Sequence, residues 1–275
     1  MDEGHISEGN NSTLEELSDK LGNISDSVKR INKRLLCIII VLIVMSIPLL
    51  FFGFWLFSEW LDDMGYKVYS QPEPSLDKPA IYVYADCDSK ESVQDYLVDL
   101  RTDMPIKTVY PDAKHEGCSY SWDVTVEQNK PGLCVNDTNY HYLFWDAKYL
   151  SDADFKEGFC IKGDNTKDFL EEKLSKMGLS AEEIHDFVVY WLPRMNQNEY
   201  NLIQFTGMNG NDKYNDDFEL HLMKDGNDVG QKFRVIMLWK PMNNNVEIKE
   251  QSLPHFERPD DEPYIIEWGG SEVNN

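Results

Sequence analysis

The feature that most constrains this 275-residue chain is the run at 35–57, LLCIIIVLIVMSIPLLFFGFWLF, with 23 residues and no charge. As a helix rising about 1.5 Å per residue it would measure about 34 Å, close to the roughly 30 Å hydrocarbon core of a bilayer. A backbone in lipid must satisfy its own hydrogen bonds, so the run predicts a single transmembrane helix, kinked near Pro48 and Gly53. Lys29, Arg30, Lys33 and Arg34 precede it, whereas Glu59, Asp62 and Asp63 follow it. That asymmetry predicts a single-pass cell-membrane protein with a cytoplasmic N-terminus and an exterior C-terminal domain. The run is too long for a cleaved leader and lacks small residues at its end, so it reads as a signal anchor whose partner is the lipid bilayer.

Before the run, Leu14, Leu17, Leu21, Ile24, Val28, Ile31 and Leu35 recur at spacings of three and four. The cytoplasmic stub, 1–34, is therefore expected to form a short coiled coil that offers a seam for a homo-oligomer. The chain carries 26 Lys+Arg against 49 Asp+Glu, a net charge of −23, of which only 5 basic and 7 acidic residues lie in the stub. Nearly all the negative charge thus falls after the run. Nucleic acid is excluded as a partner, because phosphate contacts need clustered cations.

Pro72, Pro74 and Pro79 mark 58–77 as a linker, with a globular domain at 78–270 and a tail at 271–275. Period-two segments at 80–85, 96–100, 106–110, 120–126, 140–145 and 159–162 read as strands. The period then changes to 3.6. One helix, capped by Asn165 or Thr166, stops at Gly178, and a second starts at Ser180 with Glu183 as its capping-box partner and stops before Pro193. Strands resume at 200–205, 218–223, 233–239, 246–248 and 264–268. The expected fold class is α+β: a β-rich, sandwich-like exterior domain with one inserted helical hairpin, preceded by the single transmembrane helix.

Four cysteines, Cys87, Cys118, Cys134 and Cys160, lie in the expected exterior domain and are disulfide candidates there. No metal site emerges. The acidic tract around 209–217 lacks the EF-hand spacing and reads as a solvated loop, and the six His show neither HExxH nor HxH. There is no GxSxG elbow, no Gly-rich phosphate loop and no cofactor motif, and among so many carboxylates the sequence cannot nominate a catalytic pair. Aromatic clusters are what remains. Tyr140, Tyr142 and Trp145 around one strand, and Tyr190, Trp191 and Arg194 near the end of the second helix, could form a ring-lined surface for sugar or peptide.

Four ordered blocks carry a resemblance: Lys78-Pro79-Ala80-Ile81-Tyr82-Val83-Tyr84, Tyr142-Leu143-Phe144-Trp145, Phe187-Val188-Val189-Tyr190-Trp191-Leu192-Pro193-Arg194-Met195 and Glu267-Trp268-Gly269-Gly270. They resemble the KPxIYxYP, YLFW, VYWLPxM and EWGG blocks of an uncharacterised group of bacterial envelope proteins. The resemblance implies one domain over 78–270 and an envelope setting, and assigns no catalytic residue. Ala85-Asp86-Cys87 stands where the group has a proline, and the four cysteines are additions to its pattern. The reading is a membrane-anchored envelope protein with an acidic binding or interaction domain for a wall component or exterior protein. The alternatives are a membrane-tethered hydrolase of cell-wall polysaccharide or peptide, and a sensor signalling through the heptad stub.

Overall fold

The computed structural model describes residues 20–44 except 24, 26, 41 and 43, and residues 75–273 except 129, 149–152, 209 and 211. The chain forms two compact units, Met1–Gln71 and Pro72–Asn275.

In the first unit the described residues between 20 and 44 are helical. The expected transmembrane span is corrected: no helix among the described residues is long and apolar enough to cross a membrane. The helix includes Lys29, Arg30, Lys33 and Arg34, and its described part reaches only Val44. The uncharged stretch at 35–44 would cover about 15 Å, roughly half a hydrocarbon core. Residues 45–57 lie outside the described residues. The single-pass, exterior and envelope assignments therefore lose their basis. Of the heptad seam, Leu21, Val28, Ile31 and Leu35 are exposed, while Leu14, Leu17 and Ile24 lie outside the described residues.

The second unit opens with β1 (Ser75–Tyr84), β2 (Val93–Arg101), β3 (Ile106–Tyr110), β4 (Lys114–Glu116), β5 (Ser119–Glu127), β6 (Leu133–Val135), β7 (Thr138–Tyr140), β8 (Leu143–Lys148) and β9 (Glu157–Lys162), of which β2, β5, β6 and β8 alternate buried and exposed or half-buried residues. Helices α1 (Thr166–Lys176) and α2 (Ala181–Met195) follow, then β10 (Tyr200–Thr206), α3 (Lys213–Asp217), β11 (Glu219–Lys224), β12 (Asn227–Asp228), β13 (Gln231–Met242), β14 (Lys249–Glu250) and β15 (Tyr264–Glu272). The strands form an eight-stranded sheet, β14-β9-β10-β13-β15-β1-β8-β3, and a second sheet, β12-β11-β2-β5-β6-β7, with β4 on β5.

Two clusters of buried side chains make three layers. Ile81, Val83, Trp145, Ile236, Leu238 and Ile265 point from the eight-stranded sheet toward Val98, Leu100, Trp122 and Val124 of the other sheet. On the opposite face, Tyr82, Ile203, Phe205, Val235, Met237, Ile266 and Trp268 pack under Leu170, Leu174, Phe187 and Trp191 of the helical hairpin. β13 and β15, paired in parallel at the centre, are thus covered on both sides and read as nearly continuous apolar sequence. At about 25 cal/mol per Å², burial of such side chains is the main favourable contribution to this fold.

The sequence and the structure differ at several element ends. β1 starts at Ser75, inside the expected linker, and β15 continues to Glu272. The Ser180–Glu183 capping box forms, and α2 runs through Pro193 to Met195. The carbonyl that Pro193 leaves without a donor belongs to Val189, on the exposed side of the helix, where water replaces the bond at little cost. The acidic tract at 209–217 includes α3, for which Asp212 is the N-cap: it accepts from Asn215 N, and its Oδ2 accepts from Gly207 N at 2.6 Å. Residues 246–248 form no strand.

The disulfide expectation is also corrected. Cys87, Cys118, Cys134 and Cys160 are all free thiols, as is Cys37. Cys134 sits on β6 of one sheet and Cys160 on β9 of the other, Cys87 follows β1, and Cys118 lies in the β4–β5 turn. The turn-rich segments around Cys118 and Cys134 are held by strand pairing, β4 on β5 and β6 on both β5 and β7.

Candidate functional site

The hairpin covers the outer face of the eight-stranded sheet from β9 to β1. It does not extend over β8 and β3, so the outer face of those two strands forms the floor of a groove. One flank of α2 is its wall, and the edge strand β7 of the other sheet closes its end. The groove encloses about 880 Å³ and is lined by Tyr142 and Phe144 of the β8 region, Thr108 and Tyr110 of β3, Asn139 and Tyr140 of β7, and Glu182, His185, Asp186 and Tyr190 of α2, with Lys78 and His141.

Five of these side chains are aromatic, and their packing is specific. The rings of Tyr110 and Tyr140 meet edge to face at 5.5 Å, joining the two sheets' edge strands across the groove. Tyr142 and Tyr82 lie 5.3 Å apart. The Lys78 ammonium sits 5.2 Å from the Tyr142 ring, 5.1 Å from that of Tyr190 and 5.2 Å from that of Trp268, a threefold cation–π arrangement. A bulge sets this up. The register of β1 on both neighbours shifts before Ala80, and Lys78 takes a left-handed backbone with φ +52°. Such an extra residue re-aims a side chain that regular alternation would place elsewhere.

Polar groups line the wall. Tyr82 donates to Asp186 Oδ2 at 2.7 Å and Tyr84 to Glu183 Oε1 at 2.5 Å, tying β1 to α2. Burial, reinforced by the neighbouring carboxylates, raises both phenols well above their usual range, so they act as neutral donors. Glu183, fully buried, also receives Arg258 and the Ser180 amide. Arg258 holds its proton more tightly than usual: burial opposes this, and the Glu183 carboxylate outweighs it. His141 Nδ1 lies 3.1 Å from Glu182 Oε1 at the exposed rim.

Beyond Phe144, on the same side of β8, stands Asp146. Burial, then the charge of Asp77, raises its carboxyl above the usual range, while Lys107 offsets part of this. Its Oδ1 is buried with no hydrogen-bond partner. A carboxyl whose folded-state pKa is raised favours folding when protonated, and that contribution is lost as pH rises from the unfolded value, about 3.9, through the folded one. Asp146→Asn is therefore expected to raise the melting temperature at pH 7, with the gain shrinking on acidification and absent below about pH 3.9. Thermal melts across that range check this; a gain independent of pH would show that ionisation of Asp146 is not its cause.

Of the six sequence candidates, Tyr140, Tyr142 and Tyr190 line the groove. Trp145 does not: it is fully buried between the sheets and donates to Glu267 Oε1 at 2.9 Å. Trp191 is fully buried beneath the hairpin. Arg194 is exposed, its guanidinium 4.0 Å from the Tyr190 ring and bonded to the Tyr190 carbonyl at 2.5 Å, so it braces a groove residue from outside. The sequence reading passed over Lys78, Thr108, Tyr110, His141, Glu182, His185 and Asp186. Period two on β8 was the available signal, since it puts Tyr142 and Phe144 on one face and Trp145 on the other.

The four sequence blocks meet around this place. Lys78 of the first touches Tyr142 of the second, Tyr190 of the third and Trp268 of the fourth. A Cβ on Gly269 would press on Pro79, and one on Gly270 on the Trp191 ring. No family profile, curated protein or solved structure matches the chain.

Proposed function

We propose that the second unit is a binding module whose ligand lies in the groove between α2 and the β8–β3 floor. The observation that carries this reading is the convergence of Tyr110, Tyr140, Tyr142, Phe144 and Tyr190 on one cavity of about 880 Å³, a size and lining suited to a small ligand or a short chain segment. Ring faces stack on apolar sugar faces and on peptide side chains and planes, and rigid aromatics carry most of the energy in such contacts.

Screening the protein on an oligosaccharide array and a displayed peptide library tests the reading. Ligands retained by the wild type should lose about tenfold or more in affinity for Tyr142→Ala and for Tyr110→Ala. Tyr110 is 59% exposed, so its removal should leave the melting temperature nearly unchanged. Retention indifferent to both substitutions would place binding elsewhere.

A hydrolytic reading has one observation in its favour: Glu182 and Asp186 stand one helical turn apart on the groove wall, as paired carboxylates in glycoside chemistry must face a common substrate. Both already have partners, His141 and Tyr82, which favours binding. Turnover of a retained oligosaccharide that disappears in Glu182→Gln or Asp186→Asn would reverse that preference.

A further inference from the structure

The groove is bounded by a free strand edge as well as by rings. β3 is the last strand of the eight-stranded sheet and pairs only with β8 among the described residues. Its other edge is a row of backbone donors and acceptors directly beside the cavity, because Thr108 and Tyr110 of β3 both line it. Lys107, Thr108 and Tyr110 are exposed, so nothing described covers that edge. Such an edge is a template for another strand.

Charge narrows the occupant. Glu182 and Asp186 line the groove. Asp146 follows Phe144 on the same face of β8 and stands opposite Thr108 in the β3 register, with one carboxylate oxygen buried and without a donor. Asp77 is near enough to raise both Asp146 and Tyr190. Against these carboxylates stand Lys107, whose charge offsets part of the rise at Asp146, and Lys78, whose ammonium is held among three rings. The acidic excess favours a cationic guest, and the rings around Lys78 show that aromatic faces in this groove accommodate an alkylammonium.

Resting on the binding-module reading, we propose that the ligand is an extended peptide that adds as a strand to the free edge of β3 and places a Lys or Arg side chain toward Asp146 and the α2 carboxylates. The five residues of β3 give a paired segment of about 17 Å. Backbone bonds would supply affinity, and the alternate side chains facing the rings and carboxylates would supply selectivity. A polysaccharide would use the rings alone and leave the β3 edge unpaired.

The test pans a random heptapeptide phage library against the full chain and against Thr108→Arg, which fills the groove from an exposed position. The expected result is enrichment on the wild type alone of sequences that alternate Lys or Arg with apolar residues. For the matching synthetic peptide, N-methylation of amides along one edge should weaken binding by about tenfold or more, and methylation along the other edge should have little effect. Replacing its Lys by norleucine should weaken binding to the wild type more than to Asp146→Asn. Failure to enrich any sequence over Thr108→Arg, or binding insensitive to methylation on both edges, overturns strand addition. Chitohexaose or cellohexaose bound in a Tyr142-dependent way, with no peptide enriched, overturns the peptide proposal and leaves the binding module standing. If neither class occupies the groove, both fall.

Discussion

Glu267→Ala is expected to lower folding stability by about 3–5 kcal/mol, read as a fall in the urea midpoint with an unchanged slope. The Glu267 side chain is fully buried between the sheets, where it accepts from Arg234 Nε at 2.6 Å, Trp145 Nε1 at 2.9 Å and the Tyr214 hydroxyl at 3.0 Å. Arg234, 3% exposed, also bonds the Phe218 carbonyl at 2.5 Å and Asn215 Oδ1 at 3.0 Å, and its guanidinium lies 4.4 Å from the Tyr214 ring. Burial would lower the affinity of Arg234 for its proton, but the carboxylate more than compensates. Removing Glu267 strands that cation and two further donors in a dry layer, and the cost comes mainly from the orphaned charge. The double change Glu267→Leu with Arg234→Met should therefore lie within about 1–2 kcal/mol of the wild type. Arg234 Nη2 is buried without a partner, so the native pair itself is incompletely satisfied. A single mutant that loses less than about 1 kcal/mol would mean that water reaches this layer.

Trp191→Ala should cost about 3–5 kcal/mol, as large-to-small changes at fully buried aromatic positions do. Its ring fills the space above Gly270, where the sheet has no side chain, and packs with Phe187 at 6.3 Å and Tyr190 at 4.9 Å between ring centres. Alanine would leave the space above Gly270 empty, with a residual cavity that neighbours on the sheet close only in part. The adjacent Tyr190→Ala should cost far less stability while removing a groove ring. Equilibrium unfolding of the two variants side by side tests the assignment. Equal losses would mean that both rings are core, and a loss below about 1 kcal/mol for Trp191→Ala would mean that the hairpin does not rest on it.

Local periodicity carried much of the architecture. The capping box at Ser180, the short turn at Gly178 and the alternation of β2 and β5 each reflect an interaction between residues a few positions apart. Failures occurred where the deciding partner is distant in sequence. Trp145 and Trp191 belong to aromatic clusters in sequence, yet their neighbours Tyr142 and Tyr190 face the groove while they face the core. One residue along a strand, or about 100° around a helix, separates a wall from an interior. The exposure of β3 could not be read from β3 itself, because it depends on how far a hairpin some 70 residues away extends across the sheet. Lys78 was invisible as a groove residue because its direction is set by a bulge against two other strands. The apolar run at 35–57 shows the converse hazard: composition alone gave a length, whereas the described helix carries only the first part of the run, to Val44, behind four basic residues.

The register of β1 against β15, Asp77 opposite Gly270, bears on how the chain is made. The first strand of the second unit cannot close its sheet until β15, about 180 residues further along the chain, has left the ribosome. At about 5–20 residues per second, β1 waits at least some ten seconds for its partner, and β13 waits for the same strand. During that interval one edge of β1, and then one edge of β13, is without its final partner, so the nascent chain is exposed to edge-to-edge aggregation until β15 emerges. Premature termination a few codons before Glu267 would leave a polypeptide that holds every earlier element of the second unit and lacks the strand on which both core layers close.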